Sequence, residues 1–125
     1  MPKDRTHEHP SDSKGRPGAR APHLWIQLRG QRISTLDLFR GSFVLLAGPD
    51  GSAWFDVAPK AAARVAGLQL DAHRIVDDGF TAAYGISASG ATLVRPDGFV
   101  AWRAPAASAD PEADLTRTLS AILQR

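Results

Sequence analysis

The chain has no cysteine among its 125 residues. That absence removes disulfides, thiolate nucleophiles, Cys-ligated zinc and iron–sulfur clusters from the possible chemistry. No run of about 18 apolar residues occurs, so nothing reads as membrane-spanning. The first twenty residues, MPKDRTHEHPSDSKGRPGAR, have no apolar stretch of the signal-peptide kind. Both features predict a cytoplasmic protein without membrane contact. A charge surplus is also missing where it would matter. The pI near 9.5 invites a nucleic-acid partner, yet five of the fifteen basic and three of the thirteen acidic residues precede Leu24, leaving ten of each sign in residues 24–125. A balanced domain with neither a basic patch nor interleaved aromatic residues offers few of the phosphate contacts that dominate nucleic-acid affinity. Dinucleotide, P-loop and H-E-x-x-H patterns are absent as well, so no cofactor motif is present.

What is there is 43% hydrophobic residues, enough at this length for one core. Residues 1–23 are rich in Pro, Gly, Ser, His and charge and read as a disordered or extended arm. His7 and His9 in that arm are too few to build a metal site, which needs three or four preorganised ligands. From Leu24 the pattern changes. LWIQL and QRIST flank Arg29-Gly30 as a small hairpin. Ser34-Thr35 then caps a short apolar helical turn closed by Gly41. Phe43–Ala47, five apolar residues in succession, has the continuous apolarity of a strand buried on both faces.

Trp54, Val57, Ala58, Ala61, Ala62 and Val65 recur at helical spacing, with Gly67 at the C-terminal cap. Pro59 conflicts with a helix interior, so the regular helix is expected to start near Asp56 with Pro59 in its first turn. Leu68–Val76 supplies a second strand, and strand–helix–strand over residues 43–76 makes a βαβ unit. Asp77-Asp78-Gly79 forms a turn and Phe80–Tyr84 a short helical or irregular piece. Ala91–Val94 and Phe99–Trp102 then flank Arg95-Pro96-Asp97-Gly98 as a β-hairpin, with Pro presetting φ and Gly98 supplying a positive one. Asp110-Pro111-Glu112 starts a last helix whose Leu115, Leu119, Ile122 and Leu123 form one stripe and which ends on Arg125. The order βαβ then ββα, preceded by a small hairpin, is that of an α/β thioredoxin-like mixed sheet with helices on both faces. Residues 24–125 form this domain.

Thiol enzymes of this fold place their cysteines where the first central strand meets its helix, because the helix N-terminus stabilises a thiolate. Here Gly48-Pro49-Asp50-Gly51-Ser52 stands there, without a thiol and without proline in the segment ahead of Ala91. Redox activity is excluded, and Ser52 reads as a helix cap. Asp77 and Asp78 read as turn formers, and His23 and His73 as a hydrogen-bonded packing residue and an exposed strand residue. Trp25, Trp54 and Trp102 read as core or interface anchors.

GRPGARAPHLWI, STLDLF, FVLLAGPDGSAW, AAYGI and LVRPDGFVAWR, in that order from Gly15 to Arg103, resemble the C-terminal thioredoxin-like domain of FAD-dependent aromatic-ring hydroxylases, the phenol and aromatic polyketide hydroxylases among the class A flavoprotein monooxygenases. The resemblance implies that FAD, NAD(P)H and the substrate belong to preceding domains several times this size. No catalytic, cofactor-binding or metal residue therefore carries over to this chain. Arg20, His23, Trp25, Trp54, Arg95, Asp97, Gly98 and Trp102 are its structural or interaction candidates. The expected role is a non-catalytic accessory module that assembles with a flavoprotein hydroxylase or with itself. The alternative is a binder of small aromatic or polyketide ligands, or an auxiliary part of a split monooxygenase.

Overall fold

Phe43–Ala47, hereafter β3, runs through the middle of the molecule, and its last four residues are buried. The computed structural model describes residues 16–39, 41–65, 68–77 and 79–123. Two short strands, β1 (Trp25–Leu28) and β2 (Gln31–Ser34), form an antiparallel hairpin of their own. A 3-10 turn, Thr35–Leu38, follows. The main sheet contains β3, β4 (Leu70–Arg74), β5 (Ala91–Val94) and β6 (Val100–Ala104) in the order β4-β3-β5-β6. β4 is parallel to β3, β5 is antiparallel to β3, and β6 is antiparallel to β5. One reversed strand inside an otherwise parallel sheet is the thioredoxin-like arrangement expected from the order of elements.

Side chains on a strand alternate between faces, and β3 shows why its apolarity is unbroken. Leu45 and Ala47 enter a core with Trp54, Ala58, Ala61 and Val65 of the first helix and with Leu115 and Leu119 of the last. Val44 and Leu46 enter a second core with Ile26, Ile75, Phe80, Tyr84, Val94 and Val100. Burying a side chain such as Leu45 or Leu46 contributes about 1.5–3 kcal/mol, so both faces of the strand are worth covering. Helix α1 (Ser52–Arg64) and helix α3 (Pro111–Leu123) cover the first face. The short helix α2 (Phe80–Tyr84) and the β1–β2 hairpin cover the second. No helix among the described residues is long and apolar enough to cross a membrane.

Local signals account for most boundaries. Arg29 and Gly30 both have positive φ, 53° and 79°, as a two-residue hairpin turn requires. Ser34 and Asp37 form a capping box: the Ser34 hydroxyl accepts from the Leu36 amide at 3.1 Å and the Asp37 carboxylate from the Ser34 amide at 3.0 Å. At the start of α3 the Asp110 carboxylate accepts from the Ala113 amide at 3.1 Å, Pro111 needs no acceptor, and Glu112 and Asp114 place acid at the positive end of the dipole.

Two expectations are corrected at α1. The helix begins at Ser52 rather than near Asp56, and Pro59 sits in its interior. Pro59 removes the amide that would donate to the Phe55 carbonyl, but both residues are exposed, so water can satisfy that carbonyl. The cap is also different. Gly51 occupies the cap position with no side-chain hydrogen bond, and Ser52 is the first helical residue. The chain needs glycine at position 51 for reasons of space, described below, and the cap is given up to it. In the second hairpin, β6 starts at Val100 rather than Phe99, because Phe99 still belongs to the turn: the Arg95 amide donates to its carbonyl at 2.8 Å. His7, His9, Gly67, Asp78 and Arg125, for which the sequence raises expectations, lie outside the described residues.

Candidate functional site

Three loops meet at the place where thiol enzymes of this fold carry their redox centre. They are Gly48–Gly51 after β3, Ser87–Gly90 before β5, and Ala104-Pro105 at the end of β6. Backbone hydrogen bonds join them: Gly48 N–H to the Gly90 carbonyl at 3.0 Å, Asp50 N–H to Ala88 at 2.8 Å, and Ser87 N–H to Pro105 at 2.8 Å. The approach is possible only without side chains. A Cβ on Gly48 would lie 2.4 Å from the Ala88 oxygen, one on Gly51 2.8 Å from the Gly90 oxygen, and one on Gly90 2.5 Å from the Ala104 oxygen. Backbone carbonyls thus stand directly against these three glycines.

The hairpin candidates form a structural edge. The Arg95 guanidinium pairs with the Asp97 carboxylate at 2.6 Å, and the other Asp97 oxygen accepts from the Phe99 amide at 3.2 Å. Gly98 has φ 87° and donates to the Arg95 carbonyl at 2.9 Å. The lead-in makes a turn, with the Ala19 amide donating to the Arg16 carbonyl at 3.0 Å, and then runs beside the hairpin turn. Gly18 and Ala21 donate to the carbonyls of Val100 and Gly98, and Val100 donates back to Ala19, each at 2.8 Å. The Arg20 guanidinium lies over the Phe99 ring, 4.8 Å from its centroid.

His23 and Trp25 belong to a polar node on the second face of the sheet. The Pro22 carbonyl accepts from the Tyr84 hydroxyl at 2.6 Å and the Thr35 hydroxyl at 2.9 Å, while the Thr35 oxygen accepts from the Leu24 amide at 3.0 Å. Burial pushes the Tyr84 phenol well above its ordinary value, so it stays protonated and donates. His23 Nδ1 is 2.6 Å from the Ser34 hydroxyl, and its ring edge meets Trp25 at 5.0 Å. Asp77 ties the node to the sheet by accepting from the Gln27 amide at 2.9 Å. Thr35 and Tyr84 were not among the candidates. His73, expected exposed, is half-buried on β4, and burial with the nearby Arg29 holds its imidazole below the ordinary value, against a smaller opposing effect of Asp71.

Trp54 and Trp102 meet edge to face, 5.5 Å between centroids and 72° between planes. Trp54 is 2% exposed and its indole N–H has no acceptor among the described residues. Trp102 anchors against α1 as well as the last helix. Beside the pair, an open cleft of about 590 Å³ is bounded by Arg103, Pro105, Asp114 and Arg117. The Ser108 hydroxyl, together with Arg117, holds the Asp114 carboxyl below the usual range. Among the described residues no three His, Asp or Glu side chains come together as a metal-binding group.

Sheet order and strand directions define a thioredoxin-like domain whose loops at the end of β3 are packed glycine against backbone. The chain belongs to the family of aromatic-ring hydroxylase C-terminal domains, whose sequence pattern matches residues 14–125. It is 44% identical over 125 residues to 4-methyl-5-nitrocatechol 5-monooxygenase from Burkholderia sp, covering 94% of this chain and 23% of that protein. It is 43% identical over 122 residues to tetracenomycin A2 monooxygenase-dioxygenase from Streptomyces glaucescens, covering 91% and 22%. Among solved structures, aklavinone-11 hydroxylase in a ternary complex with FAD and aklavinone superposes with a TM-score of 0.85 at 41% identity, over 90% of this chain and 22% of that one. The chain therefore spans less than a quarter of the length of the relatives it matches.

Proposed function

We propose that this domain is a non-catalytic accessory module of FAD-dependent aromatic-ring hydroxylation, acting in the cytoplasm by assembly with the flavin-bearing part of such an enzyme. The close packing of Gly48, Gly51 and Gly90 supports the reading, because backbone carbonyls stand against the loop that carries the working residues in thiol enzymes of this fold. A flavin does not fit there. A dinucleotide pyrophosphate needs open glycine amides at a helix N-terminus, and the glycines that open α1 are packed against the carbonyls of Ala88 and Gly90. FAD is accordingly assigned to the partner, as are the reaction and its substrate. Size-exclusion mixing of the chain with a flavoprotein aromatic hydroxylase tests this. Co-elution is expected, and a strictly monomeric chain that leaves the flavoprotein unshifted would sink the reading.

The cleft beside Trp54 and Trp102 supports a second reading, in which an aromatic or polyketide ligand stacks on the Trp102 ring beside the Arg117 guanidinium. Saturable thermal stabilisation by phenolic or polyketide compounds, lost in Trp102→Ala, would support it. A flat melting temperature across such a series would remove it.

A further inference from the structure

Trp25 is 54% exposed, yet its ring is held on two sides. The His23 ring meets it edge-on at 5.0 Å and 86°, and the Arg32 guanidinium lies 5.1 Å from its centroid. His23 is itself fixed by the Ser34 hydroxyl at 2.6 Å. The same hydroxyl accepts from the amide of Leu36, whose side chain is 47% exposed. A large apolar ring fixed in place yet open to water loses little conformational freedom on association. Trp and Arg are the side chains most enriched where binding energy concentrates.

The route of the chain identifies the occupant. The family is C-terminal within its hydroxylases, and the matched relatives have more than three quarters of their length outside the match. That remainder arrives through the lead-in, whose first described residue, Arg16, is nine positions before Trp25. Gly18, Ala21 and Pro22 along this path are each clamped to the domain. A partner tethered at the lead-in is thus held within about 30 Å of the exposed indole, where effective concentrations are high.

We propose that the Trp25 face of the β1–β2 hairpin, with His23, Arg32 and Leu36, is the surface that docks on the flavin-bearing part of an aromatic-ring hydroxylase. Its counterpart is an apolar slot for the indole, edged by carboxylate or carbonyl oxygens that meet Arg32. The proposal rests on the accessory reading above and adds the face through which it operates.

The test joins the full chain to aklavinone-11 hydroxylase in place of that enzyme's own C-terminal domain and follows the temperature at which FAD fluorescence is released. The fusion is expected to release FAD at a higher temperature than the enzyme lacking the domain. Trp25→Ser with Leu36→Ser should remove at least half of that gain, and Arg32→Glu should lower it as well. Phe55→Ser, an exposed change on α1 across the sheet, should leave it intact. Arg32→Glu changes an exposed residue whose contact is with the Trp25 ring, and melting of all the isolated variants separates loss of docking from loss of folding. A wild-type fusion no better than the truncated enzyme overturns the accessory reading and this proposal together. A stabilised fusion that the hairpin variants leave unchanged overturns the docking face alone. The same holds if those variants dissolve a dimer of the isolated chain in sedimentation without moving FAD release, because the face then belongs to a second copy.

Discussion

The Gly48 amide donates to the Gly90 carbonyl at 3.0 Å across the two loops that would frame a redox centre in this fold. Neither residue can carry a side chain without moving backbone, since the added carbon would meet a carbonyl oxygen at 2.4 Å or 2.5 Å. Gly48→Ala and Gly90→Ala are each expected to destabilise by about 1–3 kcal/mol or more, as overpacking does. The midpoint of urea unfolding measures this, and an unchanged midpoint would show that the loops are free to separate.

Pro59 offers the opposite test. Pro59→Ala restores an amide to the α1 interior and should stabilise by about 1–3 kcal/mol, after allowance for the greater freedom of the unfolded chain. If α1 instead began near Asp56, Pro59 would lie in its first turn and the substitution would be neutral or slightly destabilising. Thermal unfolding separates the two.

Gly98, with φ 87°, has open space around the position of a Cβ, so only its conformation resists substitution. Gly98→Val should cost about 1 kcal/mol or more, and Gly98→Asn less, because Asn tolerates the left-handed region. Equal melting temperatures for the two variants would contradict a turn held by that torsion.

Tyr84 gives the domain a pH dependence at the alkaline end. Its folded-state pKa is raised by burial, whereas the unfolded phenol ionises at about 10. The associated stability is therefore complete below pH about 10 and is lost as the pH rises from there toward the folded value. Tyr84→Phe should cost about 1 kcal/mol at neutral pH, because the Pro22 carbonyl keeps its Thr35 donor. It should also flatten the fall in stability above pH 10. A fall of the same steepness in Tyr84→Phe would place its origin elsewhere.

Features carried by neighbours in the chain were legible. Phe43–Ala47 announced a doubly buried strand, Ser34 and Asp110 announced caps, and Arg95-Pro96-Asp97-Gly98 announced a turn, because each signal spans a few residues. Features made by residues distant in the chain were not. Tyr84 and Pro22 lie 62 positions apart, and no periodicity announces their bond. Nothing local marks the glycines at 48 and 51, since their need for space arises from a loop that reaches them only once β5 lies beside β3. Pro59 misled for a third reason. The rule against proline in a helix is a local one, and an exposed face lets water meet the cost.

The pairing of the lead-in with residues 98–100 also has a mechanical meaning. Three backbone hydrogen bonds of 2.8 Å fasten the chain to the sheet before it reaches Trp25, so a pull arriving from upstream is borne first by the β6 turn and not by the cores.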